Sequence, residues 1–264
     1  MPNTHNLFAA FVLSVAALAC SSSDAPPPQA PPAAGIRPVH HALDSAPKLP
    51  PVGKEYLLGK FNPLQHPDFA AVGAPYTDKP GMFLRREALA DFERMWADAQ
   101  KAGVRLKIIS STRTFAQQKQ IWEGKWARFS KEAPAPKDRA LKILEYSSMP
   151  GTSRHHWGTD IDLNDLNNAA FEGTGPHAKA YQWLKEHAHE YGFCQPYTAG
   201  RPHGYQEEKW HWSYVPLSIP FLAEYRASVT DAEILGFLGA EWATEIGAVQ
   251  YYVLGINPDC AGAR

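Results

Sequence analysis

Ser153-Arg154-His155-His156-Trp157-Gly158-Thr159-Asp160-Ile161-Asp162 ends in Asp160-Ile161-Asp162, which with Leu163 alternates polar and apolar side chains. Alternation at period two marks a strand, here Gly158 to Leu163. It places Gly158, Asp160 and Asp162 on one face and Thr159, Ile161 and Leu163 on the other, more apolar face. His155 precedes the strand in a loop that can fold back over it. A loop histidine and a strand aspartate can thus converge on one ion. Taken alone, the same spacing also fits a solvated loop with ordinary polar residues.

A second stretch, Glu208-Lys209-Trp210-His211, opens an aromatic-rich run that reads as a strand over Lys209–Val215. His211 and Ser213 share one of its faces. On a regular strand Glu208 points away from His211, so joint service at one ion requires Glu208 in an irregular approach to the strand. Gly204 permits such a loop. The alternative is a core strand whose histidine is satisfied among aromatics. Two histidines and a carboxylate can hold zinc and leave a fourth position open, and a further carboxylate can take a proton from water there.

Working outward, Phe83 to Ala102 reads as a helix, with Leu89, Phe92, Trp96 and Ala99 at helical spacing and Gly103 as its stop. Val104 to Ser110 alternates like a strand. Thr114-Phe115-Ala116-Gln117 has capping-box spacing, so a helix starts there and runs to about Lys131. A short helix follows near Asp138–Glu145. His177 to Tyr191 is helical, with Tyr181, Leu184, Ala188 and Tyr191 on one face and Gly192 at the end. The remainder from Ser218 reads mainly as helix. Helices and strands mix without a βαβ rhythm, and no Gly-rich phosphate loop follows a strand. The fold class is therefore α+β, a small mostly antiparallel sheet flanked by helices.

The chain has 264 residues, 44% hydrophobic and 20% charged, with a net charge of −1. One core is the expectation, and no nucleic-acid partner, because phosphate binding needs a basic surplus. Residues 1–19 lack Asp, Glu, Lys and Arg, and Leu7 to Ala19 is an apolar run shorter than the roughly 20 residues that span a bilayer. It reads as the apolar region of a secretion signal. Ala17-Leu18-Ala19-Cys20 resembles a bacterial lipoprotein cleavage box, with two departures: no basic residue precedes the run, and position 17 is Ala. An ordinary signal peptide is the alternative. Residues 21–51, rich in Pro, Ala and Ser, read as a disordered tether, and residues 52–264 as the folded domain. These features imply export and a membrane anchor through lipid on Cys20, facing the periplasm or cell envelope. Cys194 and Cys260 are then left to pair in an oxidising compartment or to stay as separate thiols.

Ser153-x-His155-x-x-Gly158-x-Asp160-x-Asp162, followed by Glu208-x-Trp210-His211, resembles the zinc D-alanyl-D-alanine carboxypeptidases of the VanY type, within the LAS group of peptidoglycan peptidases. The upstream pattern S-x-x-R-[ST]-x-x-x-Q matches Ser110, Arg113, Thr114 and Gln118. The resemblance spans about residues 84–216. It implies the LAS-type fold, Zn2+ held by His155, Asp162 and His211, and Glu208 as catalytic base. It also implies that Arg113 contacts substrate and stabilises the developing oxyanion. Arg113 lies just before a helix N-terminus, which favours negative charge; a surface ion pair is its other reading. Ser153 and Gln118 are substrate contacts or supports. Where the family has Ala, this chain has Asp160, which could orient a ligand histidine, bind a substrate ammonium or pair with Arg154. His156 is the rival ligand to His155; His177, His187, His189 and His203 have no motif support.

The implied activity is removal of a terminal D-alanine from peptidoglycan stem peptides. An L,D-carboxypeptidase, a D,D-endopeptidase, a non-catalytic wall-binding module and a structural zinc site remain alternatives. Residues 164–176 and 195–207, with Asn164, Asp165, Asn167 and Asn168, could line the groove that separates them, or serve only as turns.

Overall fold

The computed structural model describes residues 50–262. The predicted secretion signal, the lipid site at Cys20 and nearly all of the predicted tether lie outside the described residues. Among the described residues no helix is long and apolar enough to cross a membrane.

In chain order the elements are α1 (Lys54–Leu57), β1 (Phe69–Ala71), β2 (Phe83–Arg85), α2 (Arg86–Lys101), β3 (Ile108–Ser110), α3 (Phe115–Arg128), α4 (Pro136–Leu144), β4 (Asp160–Leu163), α5 (Pro176–His187), β5 (Phe193–Cys194), β6 (His211–Tyr214), α6 (Val215–Ser228), α7 (Ala243–Ile246) and α8 (Pro258–Ala261). Short 3-10 turns join several of them, and one of these, Arg154–Trp157, carries His155. The principal sheet is antiparallel with strand order β3-β4-β6-β5. In it Asp162 faces His211, and Asp160 faces Ser213. The α+β class and the antiparallel sheet expected from the sequence are what the chain adopts.

The apolar face of the sheet and the helices over it form the core. Leu89, Phe92, Met95 and Ala99 of α2 are buried at helical spacing, together with Ile108, Ile161, Leu163, Phe193 and Trp212. The helix predicted from Phe83 begins instead at Arg86, because Phe83–Arg85 pairs with Phe69–Ala71 as a small antiparallel hairpin. Arg85 from this hairpin is buried and bonds through its backbone N–H to the Gly158 carbonyl at 2.9 Å. The strand predicted over Val104–Ser110 shortens to Ile108–Ser110. Asn164, at positive φ, stands beside its first half and replaces a partner strand: its side chain accepts from the Lys107 N–H at 2.8 Å and donates to the Arg105 carbonyl at 3.0 Å. α3 opens on the predicted capping box, with Thr114 and Gln117 bonded reciprocally. α5 tightens to a 3-10 turn over Ala188–Tyr191 and stops at Gly192, in the left-handed region.

Cys194 and Cys260 form a disulfide that ties α8 to the sheet edge.

Candidate active site

The polar ends of β4 and β6 meet the Arg154–Trp157 turn over one cavity of about 490 Å³. The turn places His155 there. It ends on Gly158 at φ 76°, where a Cβ would lie 2.4 Å from the Phe69 ring, so only glycine fits. The loop before α3 is stitched to the same turn: the Arg113 N–H donates to the His155 carbonyl at 3.1 Å. Register brings Asp162 opposite His211.

Each histidine has one nitrogen committed. His155 Nδ1 donates to the Ser111 carbonyl at 2.8 Å, which leaves Nε2 as a lone pair. His211 Nε2 donates to Asp160 Oδ2 at 2.8 Å, which leaves Nδ1. His155 Nε2 then lies 3.3 Å from Asp162 Oδ2, and His211 Nδ1 lies 3.1 Å from Asp162 Oδ1. One ligand atom from each of these three residues falls within 4.8 Å of the others. His155 Nε2 and Asp162 Oδ1 are buried without a hydrogen-bond partner among the described residues. Buried orphan acceptors are rare; these two, with His211 Nδ1 beside them, fit a divalent metal ion, which would satisfy them together.

Glu208 occupies the turn into β6, where the His211 N–H approaches the Glu208 carbonyl at 3.3 Å, and Glu208 Oε2 is 3.3 Å from His211 Nδ1. The irregular approach has its glycine: Gly204 has φ 91°, and a Cβ there would meet the Gly255 carbonyl at 2.5 Å. Burial raises the Glu208 pKa and outweighs the opposing hydrogen bond and charge of His211. A carboxylate shifted in that direction is a better proton acceptor near neutrality. Burial, helped by the charge of Arg113, lowers the His155 pKa and keeps its ring neutral.

Asp160 is fully buried. Its Oδ2 accepts from Arg154 Nε (3.0 Å) and His211, and its Oδ1 from Thr159 Oγ1 (2.6 Å) and Ser213 Oγ (2.8 Å). Burial alone would raise its pKa, but the Arg154 charge and the His211 bond prevail and hold the carboxyl well below its ordinary range. Two of the three sequence readings of Asp160 therefore coexist, orientation of His211 and pairing with Arg154. No acceptor is left for a substrate ammonium. His156 is excluded as a ligand in this arrangement: Nδ1 donates to the Arg113 carbonyl at 2.6 Å and Nε2 accepts from the Gly151 N–H at 3.0 Å. Burial drives its pKa down to about 3. It is a buried brace for Arg113.

Arg113 lines the cavity, half-buried, with Nε lacking an acceptor. Gln118 is buried in the wall behind, donating to the Ser148 carbonyl at 2.8 Å, and Ser153 is buried in the turn. Neither lines the cavity. His177, His187, His189 and His203 lie outside the cluster. Among the loop residues, Asn164 serves the sheet edge, Asp165 accepts from the Asn167 N–H at 2.9 Å, and Asn167 and Asn168 line the cavity.

Sequence reasoning missed the groups that hold Glu208. Asn168 Nδ2 donates to the Glu207 carbonyl at 2.7 Å, and Asn168 Oδ1 accepts from the Lys209 N–H at 3.1 Å. Gln195 Nε2 donates to the Glu208 carbonyl at 3.0 Å. It missed also the Tyr197 ring packed 4.6 Å from the His211 ring, and the exposed Tyr146 over Trp210 at the mouth. An asparagine or glutamine that grips distant backbone leaves no local pattern to read.

Residues 81–217, just over half of the chain, match the family model VanY, D-alanyl-D-alanine carboxypeptidase. The Bacillus subtilis (strain 168) protein "Putative carboxypeptidase YodJ" is 30% identical over 172 residues, 62% of this chain and 58% of that protein. The chain thus spans under two thirds of that relative's length. Among solved structures, a variant of the vancomycin resistance D,D-pentapeptidase VanY from a VanB-type resistance cassette, in complex with Zn(II), is 21% identical with a TM-score of 0.45, covering 65% of this chain and 93% of that one. The LdcB LD-carboxypeptidase is 20% identical with a TM-score of 0.48, covering 71% and 79%. With the family model spanning the cavity's three metal-competent side chains, Glu208 and Arg113, the chain belongs to the VanY D-alanyl-D-alanine carboxypeptidase family.

Proposed function

We propose that this protein is an exported zinc peptidase that removes the C-terminal D-alanine from peptidoglycan stem peptides. One observation carries the reading: His155 Nε2, His211 Nδ1 and Asp162 converge beside Glu208 on an open cavity. Two nitrogens and one carboxylate suit zinc, and three protein ligands leave a position free. When bound there, zinc supplies Lewis-acid polarisation of the peptide carbonyl and lowers the pKa of water.

The side chains supply the rest. Glu208 accepts a proton as water adds to the scissile carbonyl, and returns it to the leaving amine as the C–N bond breaks. Arg113 places positive charge where the carbonyl oxygen becomes negative. His155 and His211 stay fixed through the Ser111 carbonyl and Asp160. A structural zinc site is disfavoured because the cluster opens on a cavity, and a pure binding module has no use for a buried carboxylate with a raised pKa beside the cluster. The disulfide suits an oxidising compartment, in keeping with export and a lipid at Cys20.

The test incubates the zinc-loaded protein with pentapeptide, tetrapeptide and cross-linked dimer, with Glu208→Ala in parallel, and reads products by mass. Loss of one D-alanine from the pentapeptide, abolished in Glu208→Ala with zinc retained, is the expected result. Cleavage of the tetrapeptide alone, or of the dimer alone, reassigns the substrate. No product with zinc bound overturns the enzymatic reading.

A further inference from the structure

α3 runs along the cavity, and its basic residues are disposed differently. Lys119 pairs with Glu123 at 3.8 Å and donates to the Gly236 carbonyl at 2.6 Å. Arg128 lies over the Phe129 ring at 4.7 Å. Lys125 instead lines the cavity, half-buried, and donates to the hydroxyl of Ser147, a neutral group. It makes no ion pair among the described residues, whereas other partly buried lysines do: Lys107 with Asp78 at 2.6 Å and Lys209 with Glu172 at 3.4 Å.

An ammonium drawn out of water without a counter-ion is unfavourable. Burial lowers the Lys125 pKa, and the charges of Arg128 and Arg113 push the same way against the favourable charge of Glu208. Arg113 is likewise without a carboxylate among the described residues. The cavity thus presents two uncompensated cations beyond the acidic metal-competent end formed by Asp162 and Glu208. Such an arrangement attracts an anionic ligand. Both cations act with Glu208, but Arg113 is the one whose charge also reaches the metal-competent His155, which sets it nearer the reacting carbonyl. Lys125 is left with no role in bond cleavage.

We propose that Lys125, steadied by Ser147, binds a carboxylate of the peptide substrate and makes the site select substrates by that charge. The inference rests on the peptidase reading of the cavity. The carboxylate comes from one of two places, the peptide's C-terminus or an acidic side chain upstream of the scissile bond.

The experiment measures binding by calorimetry with full-length Glu208→Ala protein loaded with zinc, so that turnover does not intervene. The probes are a pentapeptide ending in D-Ala-D-Ala, the same peptide with a C-terminal amide, and the same peptide with its acidic side chain amidated. Lys125→Met is expected to weaken the unmodified peptide by about 10-fold or more, the strength of one charge-assisted hydrogen bond, and Lys125→Arg to restore most of it. One of the two amides should already bind weakly and lose nothing further in Lys125→Met. That amide identifies the carboxylate. Equal loss for all three peptides, no loss for any, or no binding of any peptide before Lys125 is changed overturns the proposal; thermal melting checks that the variants fold. If wild-type protein fails to cleave the pentapeptide, the peptidase reading falls, while the binding contrast still decides the role of Lys125.

Discussion

Asp160 Oδ2 accepts from His211 Nε2 at 2.8 Å while the other ring nitrogen of His211 faces Asp162 and Glu208. The bond fixes the tautomer and the ring plane of a metal-competent histidine. Substituting such a partner typically weakens a metal about 10–100-fold, and we expect that loss in Asp160→Asn, measured by chelator competition. Asp160→Ala should lose more, because Arg154, fully buried, would be left without its carboxylate. Removing one member of a buried ion pair costs about 3–5 kcal/mol, to be read by chemical denaturation. Unchanged metal affinity in both variants would remove Asp160 from the site.

Asn168 holds the backbone on both sides of Glu208 through the Glu207 carbonyl and the Lys209 N–H. Asn168→Ala deletes both bonds, each worth about 0.5–1.5 kcal/mol, and frees the turn that aims the carboxylate. Asn168 makes no hydrogen bond to His155, Asp162 or His211 among the described residues. The expected outcome is a lower kcat, by about 10-fold or more, with metal content unchanged. Asn168→Asp, which keeps only the acceptor toward Lys209, should fall between. A loss of metal along with activity would show that Asn168 supports the whole cluster instead of Glu208 alone.

The sheet and its site were legible because both are written in local alternation. Asp160 and Asp162 on one face of β4, and His211 with Ser213 on one face of β6, follow from period two, and antiparallel register does the rest. The β1–β2 hairpin was not legible. Three residues per strand carry too little periodicity, and Phe83–Arg85 extends the apolar pattern of the helix behind it. Val104–Lys107 alternates like a strand yet has no partner strand, because the side chain of Asn164 takes the bonds a strand would make. His156 shows the same limit from the other side. Its neighbour His155 faces the cavity, and only tertiary contacts with Arg113 and Gly151 separate the two.

Arg85 gives the fold a pH dependence apart from the cavity. It is buried behind β4, 3.0 Å from both Asp68 and Glu87, with its guanidinium over the Phe221 ring. Burial would raise the Glu87 pKa, but the Arg85 hydrogen bond and charge outweigh it and lower the carboxyl below its ordinary value of 4.5. A depressed acid contributes stability above its ordinary pKa and loses it as pH falls through the folded value. The melting temperature should therefore decline as pH falls below the ordinary carboxyl value of 4.5, and Glu87→Gln should be less stable at neutral pH with a shallower decline. An identical slope in wild type and Glu87→Gln would assign the acid lability elsewhere.

Cys194 and Cys260 close a loop with a sequence separation of 66 residues, and that loop contains Glu208 and His211. A cross-link of this span restricts the unfolded chain and stabilises by about 2–4 kcal/mol. Reduction, or the Cys194→Ser/Cys260→Ser pair, should lower the melting temperature by roughly 5–15 °C. Cavity geometry should survive, because the same junction is also fastened by the Asn257 N–H on the Pro196 carbonyl at 2.8 Å and by Asn257 Nδ2 on the Gln195 carbonyl at 3.3 Å. Gln195 in turn holds the Glu208 carbonyl. Metal affinity at 25 °C should thus be the same in oxidised and reduced protein while their melting curves differ. A reduced protein that melts normally would mean the hydrogen bonds suffice. One that loses metal without unfolding would mean the disulfide itself positions Glu208 and His211.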